Sequence, residues 1–147
     1  MPDARLDEVC ASVRDLFDAR ACIVAVVDES GEHLEFVAGD GAGANQMVGV
    51  RLRVGEGIAG YVAQAGVPIE VRDLPRDERW VGAFSVSEEF VPQLLLSVPL
   101  TSEDGRVTGV LQVHDPSPEV TAEVSTTVGG LEPVLLLVAA QVAGLIG

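Results

Sequence analysis

No lysine occurs in this 147-residue chain: its nine basic residues are all arginine, set against 23 acids, for a formal charge of -14. A phosphate backbone or an anionic lipid surface demands a concentrated patch of positive charge. Here the arginines are scattered through a field that repels polyanions, which excludes nucleic acid and membrane surfaces as partners. Cysteine is scarce as well, with only Cys10 and Cys22, neither in a Cys-x-x-Cys pair, and the only histidines are His33 and His114. That set builds no metal centre and no disulfide framework, so the two cysteines read as buried thiols of a reducing compartment. A basic start followed by an apolar run is missing too, since Asp3, Asp7, Glu8, Asp15 and Asp18 occupy the first twenty residues. Without a signal peptide the chain is expected in the cytoplasm. The longest apolar run ends at Ile146 and spans about 13 residues, short of the roughly 18 that suggest a membrane span.

What is present fits one domain over residues 1–147 with a single core. Leu6, Val9, Cys10, Val13, Leu16 and Phe17 recur at three- and four-residue steps, predicting an amphipathic helix over about residues 3–19. Residues 21–28 are rich in β-branched side chains and 33–39 resume extended character after a Glu-Ser-Gly-Glu turn, so the two predict a hairpin. The glycines of 39–45 predict a mobile surface loop. Residues 58–65 predict a short helix closed by Gly66, and 67–71 a brief strand. An irregular stretch then runs through Trp80, Phe84 and Phe90. Residues 94–100 and 107–114, joined by Glu103-Asp104-Gly105-Arg106, predict a central hairpin that the prolines after Asp115 terminate. Beyond Gly129-Gly130, Pro133 fits a first helical turn, and Val134–Ile146 predict a final helix with almost no polar face. Such a helix is covered on more than one side, one face by its own domain and the other by a second chain.

Three patterns carry the look of chemistry. Gly55-Glu56-Gly57-Ile58-Ala59-Gly60 matches the dinucleotide fingerprint, but no parallel βαβ unit surrounds it and no strand carries the acid expected about twenty residues on. It reads as a turn that packs the short helix on the sheet. The unpaired amides of that helix start could hold a carboxylate or phosphate, yet Glu56 offers its own negative charge to the helix end. Ser97, His114 and Asp115 supply the ingredients of a hydrolytic triad, but adjacent strand residues point to opposite faces, so Asp115 does not orient His114 within one pocket.

In order, VGEGIAGYVAQAG at 54–66, VPIEVRDLPRDERW after it, LLLSVPL at 94–100 and GRVTGVLQVHD at 105–115 resemble the GAF family, over about residues 4–146. The resemblance implies an α/β (α+β) fold, GAF- and PAS-like, with a central antiparallel sheet of five to six strands. The first and last helices would share one face, with loops and short helices roofing a pocket on the other. It also implies a non-catalytic sensory or regulatory module that binds a small ligand and signals as a homodimer through its terminal helices, to an output domain or a partner signalling protein. Ile58, Tyr61, Trp80, Phe84, Leu94, Leu96, Val98, Gln112 and His114 fall where such modules line their pocket. They either surround a cavity or fill it as core, and the sequence leaves both readings open, naming no cofactor.

Other members of the resemblance fit less well. Free methionine sulfoxide reductases need pocket cysteines, one in the segment matching GEGIAG, where this chain has Ala59. Cyclic-nucleotide binders carry an Asn-Lys motif that a lysine-free chain lacks. Tetrapyrrole binders use a cysteine or a histidine before the Val-Pro-Leu segment, and Phe90-Val91-Pro92-Gln93 supplies neither; haem would have to use His114 or His33 instead. The alternative from a different class is a pure interaction domain whose pocket is closed.

Overall fold

A computed structural model describes residues 4–80, 91–121 and 132–146, with the side chains of the last segment described from 138. Helix α1 spans Ala4–Phe17 and buries the stripe Leu6, Cys10, Val13 and Phe17 that its periodicity marks. It ends where Asp18 turns left-handed at φ 45°. Strands β1 (Ala21–Val27) and β2 (His33–Gly41) form the first hairpin. Helix α2 (Ala44–Met47), edge strand β3 (Arg51–Arg53), helix α3 (Gly57–Ala65) and strand β4 (Ile69–Val71) follow, and then a single 3₁₀ turn at Leu74–Arg76. The central hairpin is β5 (Leu95–Thr101) with β6 (Val107–His114), and α4 (Glu132–Ile146) comes last. All pairings are antiparallel, giving a six-stranded sheet in the order β3-β2-β1-β6-β5-β4.

The sheet is buried on both faces. On one, α1 and Ala139, Val142 and Ala143 of α4 pack over Cys22, Val24, Leu96, Val98, Leu100, Leu111 and Val113. On the other, α3 packs through Ala59, Val62 and Ala63 over Ile23, Ala25, Phe36 and Val110. Two polar ties fix α1 to the end of β2: the Asp7 carboxylate accepts from the Gly39 amide at 3.0 Å, and Arg14 pairs with Asp40 at 3.0 Å.

Residues 39–45 differ from the expected loop. The strand continues to Gly41 and α2 starts at Ala44, itself buried. The glycines serve close approach here: a Cβ at Gly41 would lie 2.2 Å from the Arg20 carbonyl oxygen, and one at Gly39 would lie 2.8 Å from the Ile23 side chain. Edge strand β3, too short to announce itself in the sequence, pairs Leu52 with Leu34. The expected break at Gly129-Gly130 lies outside the described residues.

Candidate functional site

Between the sheet and α3 lies a cavity of about 90 Å³. The sheet supplies Ala21, Ile23, Phe36, Leu95, Gln112 and His114 to its wall, and α2 supplies Ala44 and Met47. The first turn of α3 contributes Gly57, Ile58 and Ala59, while Leu74, Trp80, Val91 and Pro92 close the remaining side. No charged side chain belongs to this lining among the described residues.

Of the residues expected at the pocket, Ile58, Trp80, Gln112 and His114 reach it. Leu94, Leu96 and Val98 do not, and the reason is register. Across the β5–β6 pair, Leu96 stands opposite Val113 and Val98 opposite Leu111, whereas Gln112 and His114 stand opposite Ser97 and Leu95. Directly opposed residues share a face. Leu94, Leu96 and Val98 therefore pack on the α1–α4 side, and the pocket residue of that strand is Leu95. Tyr61 is also displaced: it packs against the α3 core cluster, and the Arg79 guanidinium sits 4.6 Å from its ring centroid. Arg79 in turn donates to Asp77 at 2.8 and 2.6 Å, which holds the Asp77 carboxyl below its usual range and braces the segment leading to Trp80. Phe84 lies outside the described residues. Ile23, Phe36 and Met47 were missed, for they sit in segments that read as ordinary hairpin or loop, and only the tertiary fold brings them to the cavity.

Two sets of polar groups on residues that line this space have no hydrogen-bond partner among the described residues. The His114 Nε2 is sealed from solvent and makes no hydrogen bond among the described residues. Burial pushes its pKa down to about 4, partly opposed by the neighbouring Asp115 carboxylate and reinforced by Arg20. The second set is the start of α3. The Glu56 side chain does not cap that helix; it turns back to accept from the Arg53 amide at 3.2 Å. Gly60 donates to the Glu56 carbonyl at 3.1 Å, and no hydrogen bond among the described residues takes the amides of Gly57, Ile58 or Ala59. Glu56 thus stands at the helix end with its charge but without a side-chain cap hydrogen bond.

The GEGIAG segment has a structural explanation. Gly55 and Gly57 adopt positive φ, and a Cβ at Gly60 would fall 2.6 Å from the Arg53 carbonyl oxygen. The glycines let α3 press against the turn that precedes it. The triad ingredients are dispersed as well. Asp115 Oδ1 accepts from the amides of Gln93 and Leu94 at 2.7 and 3.0 Å, and its Oδ2 faces Arg20 at 3.3 Å. Ser97 meets Gln112 at 3.5 Å. Cys10 and Cys22 are both free and buried, and a hydrogen bond with Cys10, together with burial, raises the Cys22 thiol well above its ordinary range.

A six-stranded antiparallel sheet of this order, with terminal helices on one face and a cavity on the other, defines a small α/β domain. The family model described as "GAF domain" matches residues 2–131, and the chain belongs to that family. Among solved structures it is similar to the GAF domain of an Acinetobacter phosphoenolpyruvate-protein phosphotransferase, at TM-score 0.72 and 25% identity, over 96% of this chain and 78% of that one. The type II free methionine-R-sulfoxide reductase of Thermoplasma acidophilum shares the fold at TM-score 0.68 and 14% identity, over 97% of this chain and 90% of that one. A curated relative, the dual 3',5'-cyclic-AMP and -GMP phosphodiesterase 11 of Drosophila melanogaster, is 38% identical over 64 residues. That match covers 44% of this chain and 4% of the phosphodiesterase. No helix among the described residues is long and apolar enough to cross a membrane.

Proposed function

We propose that this GAF domain is a non-catalytic ligand sensor: a small molecule occupies the cavity between the sheet and α3, and occupancy is passed through the sheet to the terminal helices of a cytoplasmic homodimer. The observation that carries the reading is the unpartnered His114 Nε2 at an apolar cavity. A buried polar atom without a partner costs roughly 1–3 kcal/mol, a cost that a ligand supplying the missing hydrogen bond removes. Transmission has a material path in β5, where Leu95 touches the cavity and Leu96 packs against the helix layer, so a displacement of one moves the other. The dimer reading draws on Leu16 of α1 and Leu145 of α4, which remain 57% and 37% exposed. The spread of GAF domains through a phosphotransferase and a phosphodiesterase supports an output domain or partner signalling protein as receiver of the signal.

The test is thermal unfolding of the protein as purified, compared with the same protein unfolded, dialysed free of small molecules and refolded. A ligand that binds only the native state stabilises it by RT ln(1 + [L]/Kd), so stripping lowers Tm and the low-molecular-weight extract of the native preparation restores it. Equal Tm values, with no extract or metabolite mixture raising either, would favour the interaction domain with a closed pocket.

A further inference from the structure

Charge is what the described wall of this cavity leaves out. Ile23, Phe36, Met47, Ile58, Leu74 and Leu95 supply its larger apolar side chains. The polar side chains among them are those of Trp80, Gln112 and His114. The first two do not ionise, and the imidazole, titrating at about 4, is neutral at pH 7. Arg20 and Arg79 adjoin lining positions in the chain, but both are engaged elsewhere. Arg20, which precedes Ala21, pairs at 3.3 Å with Asp115, which follows His114. Arg79, which precedes Trp80, pairs with Asp77 at 2.6 Å and lies over the Tyr61 ring. Neither guanidinium belongs to the lining. Resting on the sensor reading above, we propose that the occupant is an uncharged, predominantly apolar small molecule, and that the wall selects against carboxylates, phosphates and ammonium groups alike.

The balance of solvation sets the class. An ion that enters this space gives up part of its hydration shell, and the described wall returns no opposite charge in exchange. An uncharged molecule loses far less hydration, and it removes apolar surface from water on its own side and on the protein's. Ala21, Ala44, Gly57 and Ala59 lie between the larger lining residues, and their short side chains leave room for such a molecule against the sheet. The wall and the whole molecule act differently on the two signs of charge. At -14 the field of the chain repels anions and draws cations. Discrimination against both signs therefore belongs to the wall, whereas discrimination against anions alone belongs to the field.

The experiment titrates the isotopically labelled full chain, after unfolding, dialysis and refolding, with two sets of probes at pH 7. Each set keeps one skeleton and changes the charge: benzyl alcohol, benzoate and benzylammonium, then hexanol, hexanoate and hexylammonium. Binding is read from the methyl resonances of Ile23, Met47, Ile58 and Leu95 and from the Trp80 indole N–H, so that contacts elsewhere on the surface are not counted. Saturable shifts at these positions are expected with an alcohol, and each ion is expected to bind about tenfold weaker than the alcohol of its skeleton, or worse. An ammonium that binds there as tightly as its alcohol would overturn the proposal, because the field and not the wall would then be rejecting the anions. A carboxylate that binds there as tightly would overturn it too. Either result leaves the sensor reading standing, since the cavity has still taken a ligand. Silence of all the probes at these resonances would also overturn the proposal. In that case the sensor reading stands if the low-molecular-weight extract of the native preparation still raises Tm, and falls with the proposal if it does not.

Discussion

A buried imidazole costs stability whenever solvent offers it a proton. His114 titrates at about 4 in the folded chain, below the ordinary 6.5 of a free histidine. Between those values the unfolded chain binds a proton that the native one refuses, so this residue's effect is absent above pH 6.5 and stability falls as pH drops toward 4. The full shift corresponds to roughly 3 kcal/mol. Asp28, Asp77 and Asp104, all held below their usual range by hydrogen bonds, lose their own contributions at lower pH in the same direction. They remain in a His114→Gln variant, so the difference between the two proteins isolates the imidazole. Urea unfolding across this range is expected to show the wild type losing more stability than His114→Gln. Parallel curves would mean that the ring is solvated in the native state.

At the scale of elements, the decisive feature is which way β5 faces. Leu96 is 1% exposed and belongs to the core under the terminal helices. Leu96→Ala is therefore expected to cost about 2–5 kcal/mol in chemical denaturation while ligand affinity per folded molecule stays unchanged. Leu95→Ala, on the opposite face, is expected to alter ligand binding. The reverse pattern would restore the sequence's parity. That parity was not legible because the strand is buried on both faces and begins Leu94-Leu95-Leu96, an apolar run without the alternation that would reveal its inward side. Only the pairing of Leu95 with His114 settles it. Helices α1 and α3 and both hairpins were legible, since their periodicities and turn residues are local. The 39–45 segment was not: its glycines answer to Arg20 and Ile23, residues remote in sequence, and composition alone reads them as a loop. In the same way Ile58, Trp80, Gln112 and His114 could be placed from the family pattern, whereas Ile23 and Met47 join the cavity through packing.

For the molecule as a whole, one sheet carries a layer on each face, the cavity and α3 on one side and the terminal helices on the other. The outward positions described for α4, from residue 138 on, are Ala140, Gln141, Gly144 and Leu145, so this part of its exposed face is small-residue backbone with one large apolar side chain. A dimer through this helix depends on close backbone approach and on Leu16 and Leu145 at its margins, and Leu145→Glu is expected to weaken it without unfolding the chain. The most direct single measurement is native mass spectrometry of the purified protein beside its denatured mass, since it reports stoichiometry and any retained molecule together. A dimer carrying additional low mass that disappears on denaturation is the predicted result. A bare monomer would contradict both the sensing cavity and the helix-mediated assembly.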